Sequence, residues 1–391
     1  MIEQYVSKSI SCSCGKTHIS RVEKIEIAEN VIEHEMIAFL KTKNYKKITV
    51  VCDKNTYRVA ADRVCKALSE NSISFKLHKF HEDNVLPNEY FIGNLVMAMP
   101  LDSDLILAVG SGTINDICRY VSAVSGKPFC TVGTAPSMDG YIANGSALIH
   151  NNMKLNYVTH APTAVFLDPL ILSRAPGDMI ASGVGDLLGK ISCLADWRMS
   201  AIVNGEWHCS FVSGLVDTAI QKVTACIDKI ASEDSNAIAD LIEALLISGV
   251  CMDIADNSRP ASGCEHHMSH FLEMRYLLEG RKPVFHGTKV GINTVIALKA
   301  YEYAAKLTPD FDKIKKAPRK PYEKCEKEIR TAFLNASDEI LELEKKSGKN
   351  NPENLKTRLE ATEVSWHQIK SLAEQVEKSV HVYNKCTCTS Q

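Results

Sequence analysis

No stretch of this 391-residue chain approaches the roughly 18 consecutive apolar residues that a membrane-spanning helix needs, so an integral membrane protein is not expected. Nor is there an excess of one charge. The 45 Lys and Arg against 47 Asp and Glu leave a formal charge of -2, which gives nucleic acid or an anionic membrane surface no particular attraction. The first residues, MIEQYVSKSISCSCGKTH, are too polar for a secretory leader, and no internal repeat is evident. With 45% hydrophobic and 24% charged residues, the expectation is a cytoplasmic globular protein, long enough for two domains.

Of the 14 cysteines, Cys52, Cys118, Cys130, Cys193 and Cys251 stand singly in apolar stretches, as small buried hydrophobes do in a reducing compartment. Cys12 with Cys14, and Cys386 with Cys388, form two pairs at the ends. With His18 they would supply zinc ligands, but their spacing matches no recognised knuckle. A surface hairpin and a frayed tail are the readings preferred.

Short β-rich runs alternate with helical ones through the first half. Lys47–Cys52, Ser74–Leu77, Asp104–Val109, Phe129–Val132 and Ala164–Leu167 read as strands, with helices over Thr56–Leu68 and to about Val124. This rhythm predicts a parallel sheet with helices on its faces. Beyond Pro176 the texture is helical, over Gly214–Ile230, Ala237–Ile254 and Gly291–Leu307. Breakers at Asp168-Pro169 and Ala175-Pro176-Gly177 place a boundary there. The fold class expected is α/β: a Rossmann-like nucleotide-binding domain over 1–175, then an all-helical metal-binding domain over 176–391. Asp312–Lys324 reads as a solvated basic connection, and the chain from Pro352 as charged helices and a tail.

Four stretches carry candidate chemistry. Gly110-Ser111-Gly112-Thr113 follows a strand and opens a helix, where a backbone turn can approach a pyrophosphate; tight turns also use glycine for steric reasons alone. Thr134-Ala-Pro-Ser137-Met-Asp139-Gly leaves the neighbouring strand at the same end. In Cys264-Glu-His266-His-Met-Ser-His270, the histidines at i and i+4 share a helix face, while His267 points away. His286 follows, and neutral imidazoles so clustered suit a divalent metal. Asp186, in Gly183-Val-Gly-Asp186-Leu-Leu-Gly-Lys190, offers a carboxylate among small residues, with a helix-start acid as the competing reading.

Together these stretches resemble the sn-glycerol-1-phosphate dehydrogenase family, in its bacterial branch, within the superfamily of glycerol dehydrogenase, iron-type alcohol dehydrogenases and dehydroquinate synthase. The likeness runs from about Lys47 to Leu307 and takes in the N-terminal CSCGKTHI. It implies that Gly110, Ser111, Gly112 and Thr113 hold the pyrophosphate of NAD(P)H, with Thr134 and Ser137 near the nicotinamide and Asp53 at the adenosine ribose. It implies Asp186, His266 and His286 as ligands of one divalent metal, zinc or nickel ahead of iron. Asp139 and His270 are implied at the substrate, and Lys190 joins them as a candidate catalytic group. A homodimer is implied as well.

Two departures stand out. Ala143 replaces a serine that often touches the cofactor, and the likeness fades after Lys313. Lys190 takes the position at which iron-type alcohol dehydrogenases carry a further histidine ligand, leaving a three-ligand site open to substrate. The reaction implied is reversible reduction of dihydroxyacetone phosphate by NAD(P)H, with His270 supplying a proton. Lys154, Lys190 and Arg259 are alternatives for holding the phosphate. Asp53 leans toward NADH, since a carboxylate would repel a 2′-phosphate. The alternatives are a polyol dehydrogenase or dehydroquinate synthase of the same fold, and a non-catalytic nucleotide- or metal-binding paralogue.

Overall fold

The computed structural model describes residues 2–151 and 153–388. It begins with an antiparallel hairpin of β1 (Ser9–Ser11) and β2 (Thr17–Ile19). A parallel sheet follows, built from β3 (Lys24–Ile27), β4 (Lys47–Cys52), β5 (Ser74–Lys79), β6 (Leu105–Gly110), β7 (Phe129–Gly133) and, after a second hairpin of β8 (Gly145–His150) and β9 (Met153–Val158), β10 (Ala164–Leu167). The order across the sheet is β3-β10-β7-β6-β4-β5.

Helices cover both faces, so the central strands are apolar throughout instead of alternating. Along β6, Leu105, Leu107 and Val109 enter one apolar cluster while Ile106 and Ala108 enter the other, the period of two that a pleated strand imposes. The five strands expected from composition are present, with small shifts at their ends. β3 was not anticipated. Its Lys-Ile-Glu-Ile alternates and is short, and it becomes a strand by pairing with β10 at the sheet edge.

Seven helices position the chemistry. The first, α1 (Gly112–Ser125), springs from the end of β6. The others form the second half: α2 (Gly177–Asn204), α3 (Ser210–Ala225), α4 (Ser235–Ala255), α5 (Cys264–Leu278), α6 (His286–Lys306) and α7 (Trp366–Cys388). The α4 helix is buried along nearly its whole length and forms the centre of the helical core. Ile2, Val6 and Val22 join that same core, although they precede the sheet in sequence.

Two expectations for the C-terminal part are corrected. The basic connection is exposed as foreseen, but Phe311–Lys316 and Tyr322–Phe333 within and after it are helical. From Pro352 the expected charged helices are present, as Pro352–Val364 and α7, but α7 runs on to Cys388 where a tail was expected; its Leu372, Ala373, Val376 and Tyr383 pack into the helical core, and the Tyr383 hydroxyl donates to the Gly291 carbonyl. The side chains of Cys386 and Cys388 lie outside the described residues.

Candidate active site

The chain passes from β4 to the edge strand β5 and then returns to lay β6 on the other side of β4. Ligands of open α/β sheets bind at the carboxyl ends of strands where this reversal opens a crevice. Asp53 follows β4 and Gly110 ends β6, so both expected cofactor loops lie at that reversal. Ser111 caps α1 with its backbone alone, leaving the amides of the first helical turn available to an anion. Gly110 also has a packing reason: a Cβ there would stand 2.7 Å from Cβ of Ile114. Asp53 has visible work as a helix cap, its Oδ1 accepting from the amides of Asn55 and Thr56, both at 2.8 Å, and from the Thr56 hydroxyl.

The loop after β7 links the sheet to the metal-ligand candidates. The Thr134 amide donates to the Gly110 carbonyl at 3.2 Å, tying the two loops together. The Ser182 hydroxyl donates to the Ser137 carbonyl at 2.9 Å and accepts from the Gly287 amide at 3.0 Å. One side chain thus joins the loop, α2 and α6. Arg119, fully buried, anchors the far end by donating to the carbonyls of Gly140, Tyr141 and Gly145.

Close backbone approach accounts for the small residues around Asp186. A Cβ on Gly183 would lie 1.8 Å from the Pro136 carbonyl oxygen, and one on Gly287 would lie 1.8 Å from that of Ser182. Bringing α2 so near to the loop and to α6 puts Asp186, His266 and His286 together. One ligand atom from each lies within 4.8 Å of the others.

Asp186 Oδ1 and His266 Nε2 are 3.6 Å apart, too far for a hydrogen bond yet suited to sharing an ion. The other imidazole nitrogen, Nδ1, meets Glu265 Oε1 at 2.8 Å. Glu265 in turn accepts from the Ser192 hydroxyl at 2.8 Å and the Gly263 amide at 2.7 Å. A carboxylate fixing the outer nitrogen leaves Nε2 facing Asp186 and free to take an ion, an arrangement common around metal-binding histidine. Burial would raise the Glu265 pKa, but these hydrogen bonds and the His266 charge hold it below the usual range.

Asp139 and Asp186 share Lys190. Its ammonium lies 2.7 Å from Asp186 Oδ1 and 2.9 Å from Asp139 Oδ2, with none of the side chain exposed. Burial alone would lower the Lys190 pKa; the two carboxylates reverse that and hold it above its ordinary value. Asp139 also receives the Ser248 hydroxyl at 2.8 Å, and its amide donates to Asp186 Oδ2 at 3.0 Å.

His270 stands beside the trio, its ring centroid 6.3 Å from that of His266 and 6.1 Å from that of His286. Burial, with Lys154 and His266 as nearby positive groups, pushes its pKa down to about 3. It is therefore neutral throughout the physiological range. Beyond it lies a group that sequence reasoning had not assembled: Glu273 holds Lys154 at 2.8 Å and Lys289 at 3.2 Å. Burial would raise Glu273, yet the two lysines bring it down to about 2. A signal was present, since His266, His270 and Glu273 are spaced i, i+4, i+7 along one face of α5. Arg259 is engaged elsewhere, with Glu206 at 2.6 Å.

Residues 26–176 match the profile of the iron-containing alcohol dehydrogenase family. Among curated relatives, the glycerol-1-phosphate dehydrogenase [NAD(P)+] of Bacillus licheniformis is 38% identical over 324 residues, covering 82% of this chain and 81% of its own. That of Bacillus subtilis is 35% identical over 77% of each chain. The chain belongs to the glycerol-1-phosphate dehydrogenase family. The glycerol-1-phosphate dehydrogenase [NAD(P)+] of Pyrococcus furiosus is 30% identical over 70% of this chain and 77% of its own.

Solved structures support the fold that this family membership implies. An iron-containing alcohol dehydrogenase from Thermococcus thioreducens superposes with a TM-score of 0.60 at 16% identity, over 92% of this chain and 99% of that one. Glycerol dehydrogenase from Schizosaccharomyces pombe gives 0.59 at 17% identity over 92% of each. At that identity the likeness concerns architecture: the α/β sheet followed by a helical half.

Proposed function

We propose that this protein interconverts dihydroxyacetone phosphate and sn-glycerol 1-phosphate using NAD(P)H or NAD(P)+, with one divalent metal held by Asp186, His266 and His286. The observation that carries the reading is the convergence of those three ligand atoms, in a chain related over about four-fifths of its length to glycerol-1-phosphate dehydrogenases. An Asp-His-His donor set accepts zinc, nickel and iron; zinc or nickel is put first on the family resemblance alone. When bound, the ion would act as a Lewis acid toward the substrate carbonyl.

The chain's own groups have separable tasks. The amides at Gly112 and Thr113 would receive the cofactor pyrophosphate, with Gly110 and Ser111 shaping the turn and Thr134 and Ser137 lining the nicotinamide side. Asp53 would accept from the adenosine ribose with the carboxylate oxygen that its capping role leaves over. Asp139 would face the substrate, and Lys190 would act as a positioning residue that holds Asp139 and Asp186 in register. His270, being neutral, would donate a hydrogen bond to the substrate oxygen and pass on a proton drawn from solvent. Lys154, seconded by Lys289, would hold the phosphate, because these two ammonium groups share the single carboxylate of Glu273 and keep a positive surplus, whereas Lys190 lies between two carboxylates and Arg259 is matched by Glu206.

The same reading assigns residues 1–175 chiefly to the cofactor and 176–391 to metal and substrate. No helix among the described residues is long and apolar enough to cross a membrane. A cytoplasmic location accords with the unpaired state of the cysteines there. A homodimer would have a natural seam in the exposed apolar face of α6, where Ile292, Val295, Ile296 and Tyr303 are all uncovered.

The test is cofactor oxidation by metal-reconstituted protein with dihydroxyacetone phosphate, dihydroxyacetone or, with NAD+, glycerol. Turnover confined to the phosphorylated ketone is expected. Turnover of the unphosphorylated pair would instead assign a polyol dehydrogenase. Silence on all three with metal bound would favour a synthase or an idle paralogue.

A further inference from the structure

A second set of soft ligands stands apart from the active site. Cys12 and Cys14 at the tip of the β1–β2 hairpin, and His18 on β2, meet Cys209, the residue that precedes α3. The sequence had grouped the first three with Cys386 and Cys388, and the fold brings to them Cys209, 191 positions beyond His18. The ligand atoms of all four lie within 4.8 Å of one another.

The geometry points to a closed structural zinc site, Cys12-Cys14-His18-Cys209, that fastens the N-terminal hairpin to the helical domain. Cys12 and Cys209 sulfurs are 3.6 Å apart, and His18 Nε2 is 3.4 Å from the sulfurs of both Cys14 and Cys209. A tetrahedral zinc with Zn–S of about 2.3 Å and Zn–N of about 2.0–2.1 Å sets its sulfurs roughly 3.8 Å from one another and about 3.5 Å from the nitrogen, within a few tenths of an ångström of these separations. A 3.6 Å sulfur separation also excludes a disulfide in this arrangement, since that bond needs about 2.05 Å.

Tautomer chemistry supplies an independent argument. His18 Nδ1 lies 2.9 Å from the Ile254 carbonyl, which can only accept, so Nδ1 carries the proton. Nε2 is then a lone pair aimed at the sulfurs, oriented from behind as metal-bound histidines usually are. His18 and Cys209 are fully buried, and the His18 ring packs 5.9 Å from Phe211 and 6.2 Å from Trp207, centroid to centroid. Water has little access to the Cys209 thiol or the His18 ring there, while Cys12 and Cys14 at the hairpin tip are half-buried. Four protein ligands leave no open position, so the role is structural. Ile254 lies two turns beyond Ser248, the partner of Asp139, on the same α4 helix; the clamp therefore braces the helix that supports the substrate side.

The experiment uses full-length protein purified without a metal-binding tag, with metal content measured by plasma mass spectrometry and cobalt substitution followed optically. Wild type and His266→Ala should both show a near-ultraviolet thiolate-to-cobalt band, and Cys12→Ser and Cys209→Ser should lose it together with one equivalent of zinc per chain. Should the serine variants fail to fold, titrating wild-type thiols with an organomercurial should release that equivalent in step with sulfur modification. Folded wild-type protein without a thiolate–cobalt band, or peptide mapping that finds these thiols metal-free or joined as Cys12–Cys209, would overturn the assignment.

Discussion

Glu265 illustrates how much of this site depends on single side chains outside the ligand set. It touches no substrate, yet it fixes the His266 tautomer and the direction of Nε2. Glu265→Gln should weaken metal binding about 10- to 100-fold, as loss of such outer partners does, readable by competition with a chelator. His266→Ala should abolish turnover and metal retention together, and full activity with metal retained would remove it from the ligand set. Burial would lower the His266 pKa, but the nearby Asp186 carboxylate and the hydrogen bond that Glu265 accepts raise it above its ordinary value. The metal-free histidine is thus protonated below that raised value and must release a proton to bind. Metal occupancy after equilibrium dialysis should fall as pH drops through the neutral range toward 5, with one proton liberated per ion bound. For Lys154→Met the expectation is a higher KM for dihydroxyacetone phosphate with kcat less affected, a loss of uniform binding. Unchanged KM would point to another phosphate clamp.

At the scale of elements, the site is assembled by three backbones that touch. The loop after β7, the start of α2 and the start of α6 approach so closely at Gly183 and Gly287 that no side chain fits. Gly183→Ala must push a carbonyl aside. It should destabilise the protein by at least about 1–3 kcal/mol, the usual cost of overpacking, and disturb metal binding in proportion. Thermal denaturation beside metal content would read both; a variant with native stability would mean that α2 can slide at little cost. The legibility of these elements was uneven. β6 and β10 were evident because they are apolar along their whole length, and β4 because it is nearly so after Lys47, whereas β3 and the β8–β9 hairpin carry mixed residues and owe their conformation to partners. The helix foreseen over Gly214–Ile230 breaks at Cys226, where the backbone leaves the helical region at φ -116°, ψ 16°.

Taken whole, the molecule has a helical half held to its sheet half by polar bridges such as Ser182 and Ser248, and an N-terminal segment that returns to the helical core before the sheet begins. Its Arg21 amide donates to Asp253 Oδ2 at 2.8 Å, so the hairpin is docked by more than the cysteine cluster. The exposed α6 stripe belongs to this scale too. If two copies pair through it, light scattering should report twice the monomer mass, and Ile292→Glu with Ile296→Glu should halve it while leaving each chain folded.

By itself, the sequence determined the order of sheet and helices, the glycine turn after β6 and the histidine cluster of the candidate ligand trio, because each is written in local period or in a motif whose members lie close along the chain. Asp186 was the weakest member on those grounds, since a helix-start acid reads the same way until α2 is seen beside α5 and α6. Only the tertiary structure decided what meets across long separations. Cys209 joins Cys12, Cys14 and His18; Lys154 on a hairpin finds Glu273 on α5 and Lys289 on α6; Lys190 closes on Asp139 from a different loop. Such encounters depend on how packed helices and loops approach one another, which no local pattern of residues encodes.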